Sequence, residues 1–286
     1  PPNTEPKHNL PAALTPFIGR SEERDDLCRM LTHPHTRLVT LLAPGGMGKT
    51  RLALEAAESL LGQYPDGVWF AALAGLTVPD QLVSAVAEAL GFQFMPDGRT
   101  AWQQLSDFLR RKHLLLLLDN FEHLLDAAPL VSKVLAAAPG VKFLVTSREK
   151  LSLTGEVVYA LTGLHYPAEG TDEPLRYAAV QLFVECALRA NPRFKPNGAE
   201  SIARVCRAAQ GMPLAIELAA AWVGTLAVRE IADEISRSAD FLHTKAQDVP
   251  VRLRSVRAVF EAAWARLDDP SRRAFRWLSV FRGGCT

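Results

Sequence analysis

The segment Leu38-Val39-Thr40-Leu41-Leu42-Ala43-Pro44-Gly45-Gly46-Met47-Gly48-Lys49-Thr50 constrains the fold more than any other part of the chain. An apolar run of strand length enters a glycine-rich turn, and the residues after Lys49-Thr50 have helical periodicity. Glycines at 45, 46 and 48 let backbone N–H groups converge where β-carbons would crowd the turn. The N-terminus of the following helix adds its positive end. Such a turn needs an acidic partner on another strand, and Leu114-Leu115-Leu116-Leu117-Leu118-Asp119 supplies one. The pair predicts a nucleoside triphosphate site with Mg2+. Pro44, Gly45, Gly46, Met47, Gly48, Lys49, Thr50 and Arg51 form its cradle, Lys49 reaches the β and γ phosphates, and Thr50 and Asp119 are the metal ligands. Ala43 stands where the usual motif has its first glycine.

The pattern around this turn is that of an α/β protein. Strands are expected at 38–43, 67–73, 114–118, 141–146 and 157–159. Helices are expected at about 48–62, 79–90, 100–111 and 122–136, with Pro79 in a first turn and Gly91 just past an end. Ser21 is read as the cap of a preceding helix. A wholly apolar strand such as 114–118 fits the middle of a parallel sheet covered by helices on both faces. Ligands of such sheets bind at the carboxyl ends of the strands.

After Gly163 only helical periods remain, at about 175–190, 198–209, 213–223, 227–236, 255–267 and 271–280. Ala179, Leu182, Phe183, Cys186 and Ala187 form one apolar stripe. The expected organisation is a linker over 1–16, a nucleotide-binding domain over 17–163, a helical domain over 164–247, and the start of a further domain over 248–286. That last part reads as truncated, and the start at Pro1 suggests a piece of a longer protein.

Composition narrows the function classes. A formal charge of +1 gives no global field for nucleic acid, and Arg252, Arg254 and Arg257 read as a solvated helix face. No apolar run approaches the roughly 20 residues that cross a bilayer. Cys28, Cys186, Cys206 and Cys285 are too few and too scattered for a metal site or disulfide scaffold, which points to buried thiols in a reducing, cytoplasmic setting.

Two further positions bear on the chemistry. Asn120 follows Asp119 where a water-activating acid would be expected, and asparagine is a poor general base, so slow turnover is expected. Glu122 reads more readily as a solvated or capping residue than as a helper in hydrolysis. Thr146-Ser147-Arg148 ends another buried strand, which puts Arg148 in reach of the γ-phosphate.

Taken in order, these pieces resemble the STAND class of signal-transducing P-loop ATPases, specifically the NB-ARC-like group of bacterial regulators. The marks are Phe17-Ile18-Gly19-Arg20 with Glu23; Gly45 to Thr50; Leu118-Asp119-Asn120-Phe121-Glu122-His123; Thr146-Ser147-Arg148-Glu149; and Gly211-Met212-Pro213-Leu214. The resemblance implies that Phe17, Ile18 and Gly19 lie beside base and ribose, that Arg20 either reaches phosphate or pairs with Glu23, that Pro213 packs on adenine, and that Arg148 senses the γ-phosphate. It implies that the last domain, with Trp264, Leu267, Leu278 and Phe281, begins a winged helix. It further implies a switch: ADP holds a compact form, and ATP permits opening and homo-oligomerisation, with sensor and effector domains elsewhere in the protein. A scaffold that binds nucleotide with negligible hydrolysis is the alternative. A metabolic phosphotransferase lacks an evident acceptor pocket with a base, and direct nucleic-acid binding is disfavoured by the balanced charge.

Overall fold

The computed structural model describes residues 7–238, 241–244, 254–265 and 267–278. The chain divides into two compact units: Pro1–Ala43 with Gly48–Thr162, and Pro44–Met47 with Gly163–Thr286.

The first unit is built on five strands, β1 (Leu38–Leu42), β2 (Val68–Ala72), β3 (Leu114–Asp119), β4 (Val141–Ser147) and β5 (Glu156–Ala160). They form one all-parallel sheet in the order β2-β3-β4-β1-β5. The helices are α1 (Ser21–Thr32), α2 (Lys49–Ser59), α3 (Gln81–Ala89), α4 (Ala101–Leu109) and α5 (Ala128–Ala137). Every residue of β3 and β4 is buried, as central parallel strands with covered faces require. Leu114, Leu116 and Leu118 join Phe143 and Val145 in a core completed by Leu82 and Val86 of α3, Leu105 and Leu109 of α4, and Val131 and Val134 of α5. Strand alternation turns Leu115 and Leu117 to the opposite face, where α2 packs on β3 and β4. Each fully buried leucine contributes roughly 1.5–3 kcal/mol, so β3 is a main anchor for the strand end that carries Asp119.

Several local expectations are corrected. Ser21 is the first helical residue of α1, not its cap; Arg20 holds the cap position in a left-handed conformation (φ 59°) with no side-chain capping bond. The helix expected at 122–136 begins only at Ala128, preceded by short 3-10 turns at Phe121–His123 and Leu125–Ala127. Pro129 explains this: deeper inside a helix its ring would clash with the carbonyl four residues back, whereas the first turn accepts it. Pro79, expected in a first turn, lies before the cap residue Asp80 of α3.

Residues 7–9, within the stretch read as a linker, are attached to the sheet. The Val68 amide donates to the Lys7 carbonyl, and His8 forms a parallel bridge to Val68. The Asn9 side chain accepts from the Phe70 amide (2.6 Å) and donates to the Phe70 carbonyl (2.9 Å), imitating a strand along the open edge of β2. An edge strand exposes unpaired backbone groups, and this segment satisfies some of them.

The second unit contains α6 (Ala178–Ala190), α7 (Ala199–Ala208), α8 (Pro213–Ala220), α9 (Val228–Arg237), α10 (Val256–Trp264) and α11 (Asp269–Leu278). The apolar stripe of α6 is buried at Ala179, Phe183, Cys186 and Ala187, against a core that includes Ile202, Val205 and Cys206 of α7 and Ile216 and Ala219 of α8. Burial pushes the Cys206 thiol up to about 12, against the opposing field of Arg207. The Cys186 thiol is pushed up to about 11, chiefly by burial, then by the negative field of Glu217, against the pull of Arg189. Arg257 is exposed and pairs with Glu261 one helical turn on. Arg252, Phe281, Cys285 and the 245–250 junction lie outside the described residues.

Candidate functional site

The loop from Pro44 to Gly48 joins β1 to α2. Gly46 (φ 75°) and Gly48 (φ 79°) occupy left-handed conformations that side chains resist. Within the second unit, with which Pro44–Met47 is grouped, the Leu214 amide donates to the Gly46 carbonyl (3.2 Å). A β-carbon on Gly46 would meet the movable Met212 side-chain end and the Leu214 Cβ (3.0 Å), so the left-handed backbone is the main reason that residue 46 is glycine. At the foot of the loop Lys49 is buried, and its Nζ donates to the Ala43 carbonyl (2.7 Å). A buried ammonium needs acceptors, and terminal phosphate oxygens suit it better than a neutral carbonyl does.

Sheet order assembles the acidic side of the site. β4 lies between β1 and β3, so the carboxyl ends of three strands meet. The Thr50 hydroxyl donates to Asp119 Oδ1 (2.6 Å), which places the two expected metal ligands in direct contact. Thr146, fully buried on β4, donates its hydroxyl to the same oxygen (2.6 Å) and accepts from the Asn120 amide (3.0 Å). The Asn120 side-chain amide donates to Asp119 Oδ2 (2.8 Å), and its backbone is left-handed (φ 64°), a region asparagine tolerates better than most residues. The 5% exposed Asp119 carboxylate is therefore held by three side chains.

This donor set fits Mg2+ bound through one carboxylate, one hydroxyl, water and phosphate oxygens, the mode Mg2+ prefers over an all-protein cage. Among the described residues no group of three or more His, Cys, Asp or Glu side chains comes together as a cage.

Arg148 follows β4, whose last residue Ser147 is paired with Leu42 and accepts from the Ala43 amide (3.3 Å). Its Nε lies 3.1 Å from Glu122 Oε1. Glu122 is 6% exposed, which corrects the expectation of a solvated glutamate: the 3-10 turn after Asn120 sends it inward, with Phe121 buried beside it.

The other expected ligands have contacts of their own. Arg51 donates to the Thr15 carbonyl and its guanidinium stands 5.9 Å from the Phe17 ring centroid, a cation–π contact with the segment leading to Ile18 and Gly19. Arg20 is buried, and its Nη2 donates to the Thr162 carbonyl (2.9 Å). Burial lowers the Arg20 pKa, with Glu23 and Tyr159 acting in the opposite direction. Burial, followed by the field and hydrogen bond of Asp26, pushes the Tyr159 phenol up to about 12. Pro213 is the first residue of α8, where its missing N–H costs nothing.

Thr146 is the site member that sequence reading did not single out. Its signal was present: a hydroxyl at the end of an otherwise apolar strand that ends beside the site.

No protein-family model matches the chain. Uncharacterized protein Rv0894 of Mycobacterium tuberculosis is 34% identical over 281 residues, covering 97% of this chain and 68% of its own. The chain belongs to the Rv0894 family. A second relative in that bacterium, named "Putative HTH-type transcriptional regulator Rv0890c", is 36% identical over 251 residues, covering 87% of this chain. The chain spans 27% of the length of that regulator. Among solved structures, the Aeropyrum pernix ORC2 protein, described as ADPNP-ADP complexes, matches with a TM-score of 0.51 at 15% identity, covering 79% of this chain and 71% of that one. The Rv0894-family chain thus has a P-loop ATPase fold, a parallel sheet between helices followed by a helical region. Among its described residues no helix is long and apolar enough to cross a membrane.

Proposed function

We propose that this chain is the nucleotide-binding switch of a larger transcriptional regulator, binding ADP and ATP with Mg2+ and hydrolysing ATP slowly. The observation that carries the reading is the contact between Thr50 and Asp119 at the carboxyl end of the sheet, directly after the glycine-rich loop. In this reading the backbone from Pro44 to Gly48 and Lys49 hold the phosphates, Thr50 and Asp119 hold the metal, and Arg148 answers to the γ-phosphate. The metal would neutralise phosphate charge, while the chain's own part is to hold the ligand and exclude water. Phe17, Ile18 and Gly19 would flank base and ribose, Arg51 would support that segment, and Pro213 would meet the adenine.

The division of labour follows: residues 17–163 bind nucleotide, 164–247 form a lid, and 248–286 begin a winged helix. The regulator name and greater length of Rv0890c support an effector and sensor elsewhere in the full protein. A cytoplasmic setting and ATP-dependent self-association belong to the same proposal, as does the STAND, NB-ARC-like assignment.

A second reading, a scaffold with negligible hydrolysis, is favoured by one feature. The Asn120 amide is spent on Asp119 and so is not directed at a water. Titration with fluorescent ADP and ATP, with and without Mg2+, tests the proposal. Saturable binding is expected in the intact chain, with a loss of at least tenfold in Lys49→Ala. No binding by the folded chain would refute it. Single-turnover hydrolysis then separates the readings: a slow rate that Asp119→Ala abolishes supports the switch, and none above background supports the scaffold.

A further inference from the structure

We propose that Glu122 sets the preference between di- and triphosphate, by competing with the terminal phosphate for the guanidinium of Arg148. The inference rests on the nucleotide-binding reading above and names how that site tells its two ligands apart.

Two strand ends carry the pair. Arg148 follows Ser147 at the end of β4, in register with Leu42, where β1 enters the phosphate loop. Glu122 lies three residues beyond Asp119, held by the turn Phe121–His123 whose Phe121 side chain is fully buried. The Arg148 Nε and Glu122 Oε1 are 3.1 Å apart, with side chains 13% and 6% exposed. Water is therefore in no position to replace either partner cheaply.

A guanidinium in this setting leaves its carboxylate only for another anion. A terminal phosphate can supply that charge, and a diphosphate lacks the group. ADP therefore leaves the pair intact. ATP gains Arg148 but leaves Glu122 buried with one cationic partner fewer, a cost charged to the triphosphate complex alone. Glu122 thus acts as a brake on ATP occupancy and holds the resting preference for ADP. It is a positioning residue acting through Arg148, and it touches no phosphate itself.

The test compares affinities for ADP and a non-hydrolysable ATP analogue, both with Mg2+, in the intact chain. Glu122→Gln removes the competing charge and keeps the shape. It is expected to tighten the analogue about tenfold relative to ADP, with ADP itself changed less than twofold. Glu122→Asp, which keeps the charge but withdraws it by one methylene, should move the ratio the same way by a smaller factor, and serves if the first variant folds poorly. In an Arg148→Ala background the effect of Glu122→Gln on the ratio should vanish, because interacting residues are non-additive.

An unchanged ratio in folded Glu122→Gln, or equal tightening of both nucleotides, overturns the proposal while leaving nucleotide binding standing. An undiminished effect in the Arg148→Ala background also overturns it, since Glu122 would then act by direct repulsion of phosphate. A wild-type chain that binds neither nucleotide fails the underlying reading instead.

Discussion

Thr146→Val is the sharpest perturbation available, because it changes one atom's chemistry and almost nothing of the shape. The Thr146 hydroxyl donates to Asp119 Oδ1 (2.6 Å) and accepts from the Asn120 amide (3.0 Å), at a residue with no solvent exposure. Valine removes a hydrogen bond to a carboxylate, worth about 1.5–3 kcal/mol. It also takes the acceptor from a backbone N–H, a loss of about 1–3 kcal/mol. The added methyl recovers up to about 1 kcal/mol of apolar burial. The net expectation is a destabilisation of about 1.5–5 kcal/mol, large against the roughly 5–15 kcal/mol that holds a typical domain together. The control is Thr146→Ser, which keeps the hydroxyl and loses one methyl, at about 1 kcal/mol. Urea unfolding followed by amide exchange in β3 and β4 reports on the first unit. Asn120 should lose protection in the valine variant and keep it in the serine variant. If Thr146→Val were no less stable than Thr146→Ser, the bridge between the two strand ends would contribute nothing and the reasoning would fail.

Two other outcomes follow from the second unit. Gly211 has φ 67°, and a β-carbon there would lie 2.1 Å from the Leu164 carbonyl oxygen, so Gly211→Ala combines left-handed strain of about 1–2 kcal/mol with a backbone clash; thermal unfolding should fall by several degrees, and an unchanged midpoint would contradict the packing. The Cys206 thiol is pushed up to about 12 in the folded chain from an ordinary value of 9.0. The native state therefore holds its proton where the unfolded state has lost it. Its contribution to stability is complete below pH 9 and is lost as pH rises from there toward 12, with a slope approaching about 1.4 kcal/mol per pH unit. Cys206→Ala should flatten the alkaline limb of the stability profile, and site-resolved alkylation at pH 8 should leave Cys206 unmodified until the chain unfolds.

Reading from sequence worked where the signal is local. Five leucines before Asp119 announced a central strand, and β3 is buried throughout. The alternating strands and helices up to residue 160 announced a parallel sheet, which is what forms. Local reading failed at punctuation. Pro129 cut an expected helix into two short turns and a late start, and Arg20 took the cap position assigned to Ser21. Asn9 looked like linker material because nothing in its neighbours reveals that its amide matches the backbone spacing of β2. Glu122 looked solvated because helical periodicity was extended through a stretch that is not a continuous helix.

The amino-acid sequence alone determined the glycine-rich loop, the lysine and threonine that follow it, and the acid at the tip of an apolar strand. These depend on backbone sterics and on short-range periodicity, which neighbouring residues impose on one another. Only the tertiary structure decided that β4 lies between β1 and β3. That order brings Thr146 onto Asp119 and Arg148 onto Glu122, pairs separated by 27 and 26 residues in the chain. Pairing among parallel strands depends on burying every face at once, a property of the whole sheet that no single strand encodes.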